Sequence, residues 1–179
     1  PSGPTQGEPL SLGFYVSWDE QSRVSLARHV ADLDVVAPQW IALAGGSGAT
    51  TLTSDPQAEA IIAGAPNHPA LMPVVHNAQD GVWRSSWADR VILDPTSRAR
   101  LIAGLTDLAA KRGYAGYIFD LENLSPRAAA AYPAFLAQAR AALKPMNRQV
   151  WLTAPVDDPD WPLMRLQKAA DVIVLMAYD

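Results

Sequence analysis

Short runs of β-branched and aromatic residues alternate with amphipathic stretches rich in Ala, Leu and Arg along nearly the whole chain. This alternation is typical of β-strands joined by crossover helices, which build parallel sheets. Six runs have strand character, and they are Leu10–Trp18, Asp34–Leu43, Leu71–Asn77, Gly116–Glu122, Gln149–Pro155 and Asp171–Asp179. The sequence therefore predicts an α/β fold with about six parallel strands.

Helix-capping signals mark the ends of three predicted helices. Asp19 is a candidate N-cap for a helix over Asp19–Leu33, where apolar residues recur at helical spacing. A helix over Pro95–Gly113 ends at a glycine, a common C-terminal stop. A helix over Ser125–Pro145 begins with a serine N-cap and has proline at its first position. Helices thus separate the strands as a parallel sheet requires.

Two architectures accommodate this pattern, namely an open doubly wound sheet and most of a (β/α)8 barrel. A doubly wound sheet more often has a phosphate-binding glycine loop after its first strand, whereas here that strand runs into SWDEQS. A complete barrel typically needs ~250 residues, and this chain has 179. A barrel would therefore be an unfinished one, and the pattern alone leaves both architectures open.

The composition bears on domain number and on partners. Residues 1–9 are rich in Pro and Gly and predict a linker, and residues 10–179 predict one domain. The net charge is −4 without a basic cluster, so we expect no nucleic-acid partner. The chain has no cysteine, and its three histidines (His29, His68 and His76) lack metal-ligand spacing, so we expect no metal and no cofactor.

Two carboxylates end the apolar run GYIFDLENL, residues 116–124. Side chains alternate between the faces of a strand, so Asp120 and Glu122 share a face with Ile118. Functional sites of α/β folds lie at the carboxyl ends of strands, and two acids ~7 Å apart disfavour each other's ionised forms, so one can serve as a general acid. The alternative is structural: Asp120 pairs with a buried arginine or caps a helix, and Glu122 is solvated.

Two motifs resemble those of the family 18 glycoside hydrolases, the chitinase-like enzymes. GYAGYIFDLE is similar to their fourth-strand signature, and the closing LMAYD is similar to their sixth-strand Met-x-Tyr-Asp. GFYVSWD and PVVHN look like the spore-cortex-hydrolase-like branch of that family. The resemblance covers nearly the whole chain after the linker. It implies a chitinase-type (β/α)8 TIM barrel, present here over about its first six strands and incomplete at the C-terminus.

The resemblance also implies a chemistry and a substrate. It implies hydrolysis of β-linked N-acetylglucosamine polysaccharide by a retaining mechanism in which the acetamido group of the substrate attacks the anomeric carbon. Glu122 matches the general acid, and Asp120 matches the residue that orients the acetamido group. Tyr178 matches a hydrogen-bond donor to the acetamido carbonyl, and Asp179 a residue that holds the distorted sugar.

Candidate substrate contacts come from the ends of several predicted strands. Residues proposed to bind the sugar are Tyr15, Trp18, His76, Asn77 and Met176. Trp18, Trp83 and Trp87 fall at or beyond strand ends, where an indole ring could stack on a sugar or simply pack in a loop. Trp40 and Trp151 lie within strand patterns and are expected in the core.

Departures from the family pattern leave a second function open. Ala115 and Ile118 occupy positions where the family usually has two further acids, and VVHN replaces its Ser-x-Gly-Gly. The alternative is a carbohydrate-binding module that kept the cleft and lost efficient chemistry. The stretch from Gly13 to Leu43 also resembles the chitinase-like domain of bacterial envelope proteins that carry a polysaccharide deacetylase and a glycosyltransferase. That resemblance implies those domains as partners and an extracytoplasmic location.

Overall fold

The computed structural model describes residues 10–155, 158 and 161–176. The strands are β1 Leu12–Tyr15, β2 Val35–Pro38, β3 Ile41–Leu43, β4 Thr50–Leu52, β5 Ala70–Leu71, β6 Val74–His76, β7 Ala78–Gln79, β8 Val82–Trp83, β9 Gly116–Asp120, β10 Gln149–Pro155 and β11 Val172–Met176. The helices are α1 Glu20–His29, α2 Pro56–Ala63, α3 Ser85–Leu93, α4 Pro95–Arg112, α5 Pro126–Leu143 and α6 Leu163–Ala169, with 3-10 turns at Val30–Asp32 and Lys144–Met146. The predicted linker, Tyr178 and Asp179 lie outside the described residues.

The parallel strands follow one another around the sheet in chain order. β1 pairs with β2, and β2 with β5. Further along the strands, β3 pairs with β6, β6 with β9, β9 with β10, and β10 with β11. A doubly wound sheet would reverse this order at a switch point, and the described strands show no reversal. The strand order is that of a barrel wall.

Two of the predicted strands are each divided into two segments. The run Asp34–Leu43 becomes β2 and β3, and the run Leu71–Asn77 contributes to β5 and β6. β2 ends at Pro38, and Pro73 lies between β5 and β6. Proline has no N–H to donate to a sheet, so it interrupts the ladder at both places. Each divided strand still contributes one position to the wall of the barrel.

Two apolar layers hold the barrel together. The inner cluster fills the barrel and consists of Val35, Ala37, Met72, Val74, Ala115, Ile118 and Trp151. The outer cluster lies between the sheet and the helices and includes Tyr117 and Phe119 of β9. The alternation predicted for this strand is confirmed, because Ile118 faces inward while its two neighbours face the helices. Trp40 and Trp151 are buried, as expected.

The predicted helix caps are confirmed. The carboxylate of Asp19 accepts a hydrogen bond of 3.0 Å from the Gln21 N–H at the start of α1. The Ser125 hydroxyl accepts from the Ala128 N–H at the start of α5, and Gly113 closes α4 in the left-handed conformation, with φ of +69°. α1 ends at His29, four residues short of its predicted end, because the chain tightens into a 3-10 turn.

Candidate active site

Three polar side chains form a row across the carboxyl ends of neighbouring strands. His76 ends β6 and is the register partner of Asp120, which ends β9. Thr153 of β10 lies beside Asp120, one step beyond the paired Leu152 and Phe119. All three residues continue the inward-facing side of their strands, directly above the apolar inner cluster. The row therefore lies where α/β barrels place their catalytic groups.

Asp120 takes its hydrogen bond from Thr153. The Thr153 hydroxyl donates to Asp120 Oδ1 at 2.6 Å, which is a short hydrogen bond between two side chains of neighbouring strands. Ile118, two residues before Asp120, has 0% exposure within the inner cluster and offers no polar group. Sequence reasoning missed Thr153, although the alternation of QVWLTAP places it on the same face as the buried Trp151.

His76 borders Asp120 from the other side. Its Nδ1 accepts a hydrogen bond of 3.2 Å from the Ala78 N–H, so the neutral ring carries its proton on Nε2. Burial lowers the pKa of His76 below its usual 6.5, and the charge of Asp120 opposes that shift. The ring is therefore a neutral neighbour of the carboxylate at pH values above its usual pKa.

Glu122 lies two residues beyond the end of β9, and its backbone is bound by Asn77. The Glu122 N–H donates to Asn77 Oδ1 at 3.0 Å, and Asn77 Nδ2 donates to the Glu122 carbonyl at 2.9 Å. Asn77 has 0% exposure. Its side chain therefore lies behind Glu122, and the predicted contact between Asn77 and a substrate does not agree with this placement.

The loop that carries Glu122 is also fixed to α3. Asn123 has a φ of +57°, and its Nδ2 donates to the Ser85 hydroxyl at 2.8 Å. The Ser125 N–H donates to Asp89 Oδ1 at 3.0 Å. Short polar residues such as asparagine tolerate the left-handed conformation that turns the chain here. The turn lets the chain leave the barrel wall immediately after Glu122 and enter α5.

A pocket of about 210 Å³ opens beside Glu122. Its lining includes Thr153 and Trp161 together with Met176 at the end of β11. The Trp161 ring packs edge-on against the buried Tyr132, with ring centroids 6.0 Å apart. Burial raises the pKa of Tyr132 well above its usual value, and the charge of Asp120 adds to this shift. The pocket thus offers a carboxylate, a hydroxyl and apolar walls in one concave surface.

The predicted sugar contacts are distributed unequally around this face. Met176 lines the pocket, and Trp18 follows β1 with 74% of its surface exposed. Trp83 of β8 is 36% exposed, whereas Trp87 packs against the outer cluster with the Arg84 guanidinium 5.7 Å from its ring. Trp18 and Trp83 are therefore available as flat apolar surfaces at the ends of the strands.

Tyr15 does not lie at the cleft. It is 1% exposed and packs in the outer cluster, on the helix side of β1. Its hydroxyl donates to Asp55 Oδ2 at 2.6 Å, and Asp55 in turn caps α2 by accepting from the Ala58 N–H. The prediction of Tyr15 as a sugar contact therefore needs correction, because the side chain joins β1 to α2. The alternation within this short strand directs Tyr15 away from the barrel interior.

Within residues 10–155, 158 and 161–176, no group of three His, Cys, Asp or Glu side chains could hold a metal ion. In the same part of the chain, no helix is both long and apolar enough to cross a bilayer.

Comparison with known proteins identifies the fold. No family model matches the chain. The solved structure of a class V chitinase from Pseudomonas fluorescens Pf-5 superposes with a TM-score of 0.86 at 23% identity, covering 96% of this chain and 55% of that one. The fold is that of the chitinases. The predicted chitinase-type barrel fragment is confirmed.

Two further proteins resemble this chain, one in fold and one in sequence. The spore cortex-lytic enzyme SleL of Bacillus cereus superposes with a TM-score of 0.84 at 19% identity, over 95% of this chain and 41% of SleL. The uncharacterized glycosylase YvbX of Bacillus subtilis (strain 168) is 24% identical, over 98% of this chain and 54% of YvbX. The chain thus spans about half the length of the relatives that it matches.

Proposed function

We propose that this chain belongs to a glycoside hydrolase that cleaves β-linked N-acetylglucosamine polysaccharide with retention of configuration. The observation that carries the proposal is the pair of acids at the end of β9: Asp120, hydrogen-bonded to Thr153, and Glu122, held beside a concave pocket. The similarity to a glycosylase, a chitinase and a cortex-lytic enzyme supports this class of reaction.

The proposed chemistry assigns one role to each acid. The Glu122 carboxyl donates its proton to the glycosidic oxygen as the bond from that oxygen to C1 breaks. The acetamido carbonyl oxygen of the same sugar forms a new bond to C1, giving a cyclic oxazolinium ion. The Asp120 carboxylate stabilises the positive charge that develops on the acetamido nitrogen. Water then attacks C1 and gives a proton to Glu122, which restores both the acetamido group and the acid.

Further roles rest on the resemblance to the chitinase family. Tyr178 would hydrogen-bond the acetamido carbonyl, and Asp179 would hold the distorted sugar. Trp18 and Trp83, both exposed at the strand ends, would stack on sugar rings of the polymer. A polysaccharide substrate fits an extracytoplasmic location, and deacetylase and glycosyltransferase domains would be partners within a longer envelope protein.

The second candidate is a carbohydrate-binding module. The observation that favours it is the apolar surrounding of Ala115 and Ile118, both buried in the inner cluster. No proton can move to Asp120 from either position, so the family's chain of acids is interrupted. Binding would persist in such a module, because the exposed rings and the pocket remain.

Incubation with defined N-acetylglucosamine oligomers decides between the two candidates. The intact protein is given β-1,4- and β-1,6-linked oligomers, and products are followed by mass spectrometry. We expect cleavage that falls by about 10²–10⁴-fold in Glu122→Gln, since that change removes the general acid. The matched control Glu20→Gln changes an acid in the first turn of α1 and should retain full activity. Binding without cleavage in the unmodified protein would instead establish the binding module.

A further inference from the structure

The side chain of Asn77 continues the sheet where the strands themselves have ended. The ladder between β6 and β9 closes at the pair His76 and Asp120. The Asn77 backbone turns away, because its carbonyl accepts from the Arg84 N–H at 2.8 Å at the base of the β7–β8 hairpin. The Asn77 carboxamide then makes the next two bonds, one accepted from the Glu122 N–H and one donated to the Glu122 carbonyl.

This pairing requires an amide side chain. A carboxamide carries one acceptor and one two-proton donor in a plane, as a peptide group does. Asn77 uses both, and Nδ2 reaches a second carbonyl, that of Arg84, at 3.3 Å. A buried backbone N–H or carbonyl left without a partner is destabilising by about 1–3 kcal/mol, so the Glu122 peptide groups stay paired with Asn77.

We propose that Asn77 is a positioning residue that fixes the backbone of Glu122 and thereby aims its carboxyl at the scissile oxygen. This inference rests on the proposed role of Glu122 as the general acid. Glu122 lies beyond the last rung of the ladder, so the barrel wall alone does not hold it. Asn77 also binds the base of the hairpin that carries Trp83, so one side chain sets the spacing between the acid and an exposed ring.

The chain offers a matched control for a test. Asn67 also donates its Nδ2 to two backbone carbonyls, that of Val30 at 3.0 Å and that of Leu33 at 2.6 Å. It makes these bonds near the start of β2, away from the carboxyl ends of the strands. Leucine has the branched shape of asparagine without its polar atoms, so Asn77→Leu and Asn67→Leu remove comparable bonds at the two places.

We expect Asn77→Leu to lower kcat by about 100-fold with little change in KM, because a small displacement of a catalytic group has an effect of that size. Asn67→Leu should lower the melting temperature and leave kcat unchanged. Asn77→Asp keeps the acceptor for the Glu122 N–H, and its kcat should fall between those of the unmodified protein and Asn77→Leu. Equal kcat in Asn77→Leu and Asn67→Leu, measured where both are folded, overturns the inference.

Amide hydrogen exchange separates this inference from the proposed function. The Glu122 amide should exchange slowly in the unmodified protein and in Asn67→Leu, and much faster in Asn77→Leu, which lacks the acceptor for that N–H. This readout does not need turnover, so it holds if the unmodified protein proves to be a binding module. Unchanged protection of the Glu122 amide in Asn77→Leu shows that Asn77 does not fix that backbone, whatever the activity.

Discussion

Thr153 donates a hydrogen bond to Asp120 across two neighbouring strands. The residue two places before Asp120 is the buried Ile118, so the carboxylate depends on its neighbour in β10. A hydrogen bond to a charged group is worth about 1.5–3 kcal/mol. Thr153 therefore gives Asp120 a polar partner that the apolar side chain of Ile118 cannot provide.

Replacement of Thr153 tests that dependence. Thr153→Val keeps the shape and removes the donor, and we expect kcat to fall by about 10–100-fold, which is the hydrogen-bond energy expressed as a rate. Thr153→Ser keeps the hydroxyl and should retain most of the activity. Steady-state kinetics on an N-acetylglucosamine oligomer measure both variants. An active Thr153→Val variant would mean that Asp120 is held by other groups.

The roles of single residues were predictable from sequence only where the signal is local. Asp19, Gly113 and Ser125 act on neighbouring backbone, and their caps were predicted correctly. The contact between Thr153 and Asp120 joins residues 33 apart in sequence, and it depends on the register of two strands. The placement of Tyr15 was missed for the same reason, since its partner Asp55 lies 40 residues away.

At the scale of elements, the close pairing of β9 and β10 depends on a glycine. Gly116 begins β9 with a φ of +155°, and a Cβ built there would lie 2.0 Å from the Gln149 carbonyl oxygen. That oxygen belongs to the backbone of the neighbouring strand and cannot move aside as a side chain can. The strand that carries Asp120 therefore starts at a position that tolerates no side chain.

Two glycine substitutions are expected to change stability in opposite directions. Gly116→Ala should lower the free energy of unfolding by about 2 kcal/mol or more, because the clash displaces one strand from the other. Gly104→Ala lies in the middle of α4, where an added Cβ meets nothing within 4 Å. It should raise stability by about 0.5–1 kcal/mol. Urea unfolding of both variants measures the difference, and equal stability of the two would contradict the packing described.

The sequence predicts the long helices well and the short elements poorly, for a physical reason. The long helices α4 and α5 carry caps and periodic apolar residues, whereas α2 and the β7–β8 hairpin are short and carry weak signals. The breaks at Pro38 and Pro73 were not predicted, because a proline at a strand end and a proline within a strand look alike in sequence. The barrel was favoured over a doubly wound sheet by the family motifs and confirmed by the strand order.

At the scale of the whole molecule, one buried histidine links stability to pH. The pKa of His76 is lowered in the folded state, mainly by burial. Above its usual 6.5 the ring is neutral in both the folded and the unfolded chain, so the full stability is present. As the pH falls below that value, the unfolded chain binds a proton that the folded chain does not, and the free energy of unfolding decreases.

The variant His76→Asn should weaken this pH dependence. Asparagine can still accept from the Ala78 N–H, but it does not titrate. The loss of stability between about pH 7.5 and about pH 5.5 should therefore be smaller than in the unmodified protein, as measured by urea unfolding. His29→Asn, at the exposed end of α1, is the control and should follow the unmodified protein. An identical slope for His76→Asn would show that other groups dominate.

The apolar filling of the barrel also affects how the charge of Asp120 acts. Beneath it lie Ile118, Trp151, Met72 and Val74, which have no mobile dipoles to reorient around a negative charge. On the side of the inner cluster, the electric field of the carboxylate is therefore screened weakly. On the side of the cleft, the screening depends on the molecules that occupy the cleft. A cation that forms in a bound ligand faces a field concentrated on its own side of the barrel.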